Sequence, residues 1–76
     1  MFSTRVNLGI MYAVGCGVPQ DDVEAHMWFS LAAAQFSGQN RDGMVEARDA
    51  VAARMTAAQI AKAQRRAREW TPTPEP

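Results

Sequence analysis

The stretch from Asp21 to Ala33 constrains this chain more than any other. After Asp21-Asp22-Val23-Glu24 come Ala25, Trp28, Phe29, Ala32 and Ala33. Their spacing of i, i+3, i+4, i+7 and i+8 is that of one buried helix face. Asp21 suits the N-cap, and Glu24 three positions on matches a capping box. Asp21, Asp22 and Glu24 also place negative charge at the positive end of the helix dipole. Two large aromatics beside small alanines let a second helix come close at one level and pack on rings at another. The rest of the chain therefore has to supply helical neighbours.

The sequence on either side does so. An earlier helix is expected from about Ser3 to Val14, with Leu8, Gly9, Tyr12 and Cys16 on one side. Gly15 and Gly17 end it, because glycine enters the left-handed conformation at helix ends. Val18-Pro19-Gln20 is a connector. The central helix fades near Gln35, and Phe36 to Gln39 reads as a loop. A third helix is expected from about Arg41 to Arg54 with Asn40 as cap. Its stripe is Met44, Ala47, Val51 and Met55, with Val45 and Ala52 alongside and Arg48 snorkelling outward. Thr56 with Gln59 forms a second capping box, opening a fourth helix from Ala57 to about Trp70 with Ile60, Ala63, Ala67 and Trp70 as its stripe. Thr71-Pro72-Thr73-Pro74-Glu75-Pro76 cannot continue a helix and reads as a disordered tail. Short connections make the helices two antiparallel hairpins. The expected fold is all-α with four helices, divided as residues 2–39, 40–70 and a tail at 71–76.

Composition limits function. With 76 residues the chain is one small domain or part of one, too short for a two-lobed enzyme. Eight basic residues balance eight acidic ones, so no global attraction to nucleic acid or to an anionic membrane is expected. Cys16 is the only cysteine, which excludes an internal disulfide framework and a four-cysteine zinc site. No apolar run approaches the roughly 18–20 residues that span a bilayer. Val6 to Cys16, preceded by Arg5, resembles a short signal sequence, and Ala13-Val14-Gly15-Cys16 is close to a lipoprotein cleavage box. Three features argue against it: a single positive charge, the interruptions at Asn7 and two glycines, and the match of this segment to the central helix as a helical partner. The chain reads as soluble, and cytoplasmic by default.

Leu8 to Gln35, LGIMYAVGCGVPQDDVEAHMWFSLAAAQ, resembles the Sel1-like repeat family, a relative of the tetratricopeptide repeats. Leu8, Gly9, Tyr12, Gly15, Gly17, Val18, Asp21, Ala25, Trp28, Phe29, Ala32 and Ala33 stand in register with its pattern. Thr4 replaces the usual alanine. The glycine that normally follows the alanine pair is displaced to Gly38, implying a longer loop after the second helix. Arg48 to Trp70 resembles the helical pair that closes bacterial Sel1-like arrays, with Thr56-Ala57 in place of a common Thr-Pro start. The resemblance implies an α/α superhelix fragment and a scaffold or adaptor that binds proteins. It implies no catalytic site and no cofactor, and gives the matched residues architectural roles.

Arrays of this kind need about three repeats to bury a continuous core. One repeat and a closing pair are present, so the chain is expected to be the C-terminal part of a longer array or a self-associating minimal version. Besides its Leu8/Gly9/Tyr12 side, the first helix carries Phe2, Val6, Ile10, Ala13 and Val14 on what reads as a broadly opposite side. Such a helix expects neighbours on both sides. Phe2, Arg5, Val6, Ile10, Met11 and Val14 are accordingly the candidate partner-binding residues, for a protein partner or a second copy. A purely structural cap is the alternative. A hydrolase, suggested by disulfide-rich relatives linked to penicillin binding, is disfavoured by the single cysteine and the missing Ser-x-x-Lys.

Sharper chemistry has weaker support. Asp22, His26 and Ser30 have the residue types of a catalytic triad, but their i, i+4, i+8 spacing makes an exposed ladder with no oxyanion hole. His26 is the only histidine, too few for zinc. Cys16 reads as a reduced thiol at a variable position. Lys62, Arg65, Arg66 and Arg68 make a basic face without interleaved aromatics, so nucleic-acid binding is not expected. The methionines read as adaptable packing.

Overall fold

The computed structural model describes residues 4–70. Phe2 and the Pro-rich segment 71–76 lie outside the described residues. Four helices follow in order: α1 Thr4–Val14, α2 Asp22–Gln35, α3 Gly38–Ala52 and α4 Ala57–Glu69. Among the described residues all regular structure is helical, as expected of an all-α chain.

The turn after α1 forms as its glycines suggest. Gly15 and Gly17 have φ of 73° and 80°. The Gly15 and Cys16 N–H groups both donate to the Met11 carbonyl, at 2.8 and 3.0 Å, which closes the last turn. The chain then reverses through Pro19, and the Asp21 N–H donates to the Tyr12 carbonyl at 3.0 Å.

The junction of α2 and α3 differs from expectation. Only Phe36 and Ser37 separate the two helices, so the connection is short, and α3 starts at Gly38 rather than near Arg41. Gly38 has φ of 62°, which reverses the chain within a few residues. Ser37, not Asn40, holds the N-cap position, without a side-chain cap bond. The fourth helix starts as the sequence indicates. Thr56 Oγ1 accepts from the Gln59 N–H at 3.1 Å, and Gln59 Oε1 accepts from the Thr56 N–H at 2.9 Å.

Helix α2 is the centre of the molecule. It packs closely on α1, α3 and α4, whereas α3 and α4 approach each other far less. The second helical pair is therefore held together mainly through α2. Ala25, Phe29 and Val51 form the core, with Tyr12, Ala13, Met44, Ala47 and Met55 packed against it. Gly9 lets α1 in: a Cβ there would lie 2.7 Å from Phe29 Cε1. On the other side Ala63 of α4 is fully buried. There Trp28 and Trp70 meet edge to face with ring centroids 5.9 Å apart.

Candidate functional site

The candidate contact residues of α1 separate by angle around the helix. At about 100° per residue, Val6, Ile10 and Val14 lie roughly 60°, 100° and 140° from Gly9, which faces Phe29. Their exposures follow that order, at 1%, 43% and 67%. The two apolar stripes thus adjoin rather than oppose, and the α1–α2 contact is centred near their border. Val6 is consequently a core residue, not part of an open face. Arg5 is also engaged. Its Nη1 donates to the Leu31 carbonyl at 3.3 Å, and its guanidinium lies 4.7 Å from the Trp70 ring centroid. Met11 is half-buried with its terminal methyl beside Gly17. Ile10 and Val14 remain exposed.

These two residues border a groove of about 320 Å³. Ile10, Ala13 and Val14 of α1 form one wall, and Ala47, Ala50, Val51 and Arg54 the other, with Phe29 of α2 also lining it. The lining is aliphatic and aromatic except for Arg54. That guanidinium is fixed: Nε donates to Asp22 Oδ1 at 2.9 Å, and Nη2 donates to the Ala13 carbonyl at 2.7 Å. The Ala13 carbonyl lies in the last turn of α1, where a cation is favoured. Arg54 thereby ties the ends of α1, α2 and α3 and keeps one edge of the groove polar.

Of the second wall, Ala50 is not singled out by the sequence, while Ala47 and Val51 are expected from it as packing and Arg54 as a helix end. An arginine there is a local signal for carbonyl capping. Its partner is 41 residues away, which local pattern does not reveal.

The triad-like residues do not form an exposed ladder. Asp22 pairs with Arg54, His26 is 3% exposed and Ser30 is half-buried. The reason is that α2 is covered by three helices rather than one. His26 Nδ1 is buried without a hydrogen-bond partner. Burial lowers the histidine pKa, the Arg48 charge lowers it further, and Asp49 opposes the shift. Arg48 lies partly exposed on α3 and donates to Asp49 Oδ1 through Nε and Nη2, at 3.2 and 3.1 Å.

The basic face of α4 is divided. Arg66 pairs with Glu24, whose Oε2 accepts from Trp28 Nε1 at 3.3 Å. Lys62, Arg65 and Arg68 are exposed. Cys16 is a free, exposed thiol. Among the described residues, no three His, Cys, Asp or Glu side chains are grouped to hold a metal ion. No helix among them is long and apolar enough to cross a membrane.

The positions that carry the resemblance to Sel1-like repeats are spread through this framework. Leu8, Tyr12, Val18 and Trp28 are half-buried, while Ala25, Phe29, Ala32 and Ala33 are buried. Asp21 caps α2 by accepting from the Glu24 N–H at 3.2 Å. No family model, curated protein or solved structure matches the chain.

Proposed function

We propose that this chain is a helical-repeat module of the Sel1-like type that works by protein–protein contact, with the α1–α3 groove as its contact surface. One observation carries the reading: Ile10 and Val14 stand 43% and 67% exposed at the edge of an apolar groove. Exposed aliphatics around a concave apolar surface mark contact sites more often than isolated surface residues do. The Arg54 guanidinium at the edge adds a polar anchor of fixed direction. The Sel1-like assignment rests on the spaced pattern from Leu8 to Ala33, in which Gly9, Gly15, Gly17 and Asp21 perform the structural tasks that their chemistry suits.

A terminal cap of a longer array is the alternative. It is supported by Val6, the part of the α1 apolar surface that is closed at 1% exposure.

Solution mass across a concentration series tests the self-association form of the contact. A dimer that Ile10→Glu converts to monomer supports it. A monomer throughout leaves the groove to a different protein. Photocrosslinking in cells from a residue analogue at position 14 then decides, with adducts expected that Ile10→Glu abolishes. Neither dimer nor adduct would end the contact reading and favour the cap. Ile10→Glu should change stability by no more than about 0.5 kcal/mol, because the side chain is already partly in water.

A further inference from the structure

On α2, within electrostatic reach of Arg48 and Asp49 of α3, lies a buried group whose protonation the fold does not accommodate. His26 is 3% exposed, and its Nδ1 has no hydrogen-bond partner. A neutral imidazole carries one N–H donor and one acceptor nitrogen, whereas the charged form must donate from both. A buried cation without an acceptor at Nδ1 is unfavourable.

The surrounding charges do not offset this. From α3, Arg48 opposes a positive imidazole, and Asp49, which favours one, already accepts two hydrogen bonds from Arg48. From α1, Arg5 is directed to Leu31 and Trp70. From α4, Arg66 is directed to Glu24, while Lys62, Arg65, Arg68 and Glu69 are exposed. On α2 itself, Asp22 is one turn before His26 and is held by Arg54.

We infer that His26 is an acid-sensitive latch, whose protonation loosens α3 from α2 and opens the wall of the groove. The placement supports local release. Phe29, three residues after His26, lines the groove, and so do Ala47 and Val51 on either side of Arg48 and Asp49. A displacement of α3 at His26 therefore moves that wall. The inference does not depend on what occupies the groove.

The sign of the effect follows from burial. The folded pKa lies below 6.5, so the opened state binds more protons as pH falls. The closed seam keeps its full stability above that value. It loses stability as pH drops through 6.5 to the folded pKa, and no more below it. Each unit of depression raises the open population about tenfold at low pH.

The test is an NMR titration of the intact chain with hydrogen exchange at pH 7.5 and 5.0, corrected for intrinsic rates. As the only histidine, His26 gives its own imidazole resonance. The latch predicts a midpoint below 6.5 and exchange that accelerates in α3 before α1, to an extent set by the depression. His26→Leu should abolish the acid-specific acceleration. If that variant does not fold, the wild-type measurements alone decide. A midpoint at or above 6.5, unchanged α3 exchange, or equal acceleration across all four helices would each overturn the latch.

Discussion

Helices α2 and α4 start with the same kind of four-residue signature, Asp21-x-x-Glu24 and Thr56-x-x-Gln59, yet only the second closes into a reciprocal box. At α4 both arms form, at 3.1 and 2.9 Å, on an exposed stretch of chain. At α2 the forward arm forms, with Asp21 accepting from the Glu24 N–H. The return arm does not. The Asp21 N–H is already donated to Tyr12 of α1, and the Glu24 carboxylate is held by Arg66 and Trp28. A local motif reaches its local geometry where the surroundings are solvent. Where three helices converge, the same groups are redirected into tertiary bonds.

The largest expected effect comes from disturbing the contact that sets this difference. Gly9→Ala places a methyl against Phe29 and should destabilise the fold by about 1–3 kcal/mol, measured as a lower urea midpoint. If the shift of α1 also frees the Asp21 N–H from Tyr12, slowed exchange of that amide should be lost. Unchanged stability would mean that α1 and α2 are not held as closely as the Gly9 contact implies.

Glu24 gives the next effect. Glu24→Ala should cost about 1–2 kcal/mol, because a largely buried carboxylate loses both an arginine and an indole partner. Glu24→Gln separates the two roles of the residue. Glutamine serves a capping box as well as glutamate does, so a purely local role would lose no more than the helix-dipole contribution, about 0.3–1 kcal/mol, without coupling to Arg66. The tertiary role predicts a partial loss, with coupling to Arg66→Ala in a double-mutant cycle.

The smallest effects lie at α4. Thr56→Ala should cost about 1 kcal/mol and Gln59→Ala a few tenths, in thermal unfolding, with little dependence on salt. A larger loss at Gln59 than at Glu24 would reverse the distinction between the two helix starts.

The same distinction runs through the candidate site. Ile10 and Val14 could be read as contact residues from their place on α1. The groove that makes them a site needs Ala47, Ala50 and Arg54, brought there by the packing of α3 on α2. Val6 carried the same apolar signal as Ile10, and the roughly 40° between them decided which was buried. His26 looked like a surface residue because one face of α2 was so clearly apolar. Val23, Met27 and Leu31 lie off that face and are apolar too, and Met27 is buried; that wider apolar surface was the sign that more than one helix covers α2.

The sequence by itself determined the four helices, the glycine turn after α1 and the Thr56 cap. Each depends on chemistry within a few residues, or on the absence of a side chain. Tertiary structure alone decided the central place of α2, the burial of His26, the Arg54 bridge and the partners of Glu24. Those outcomes depend on which groups from distant segments reach a given donor or acceptor first. Helical periodicity specifies the direction in which a side chain points, but not what it meets there.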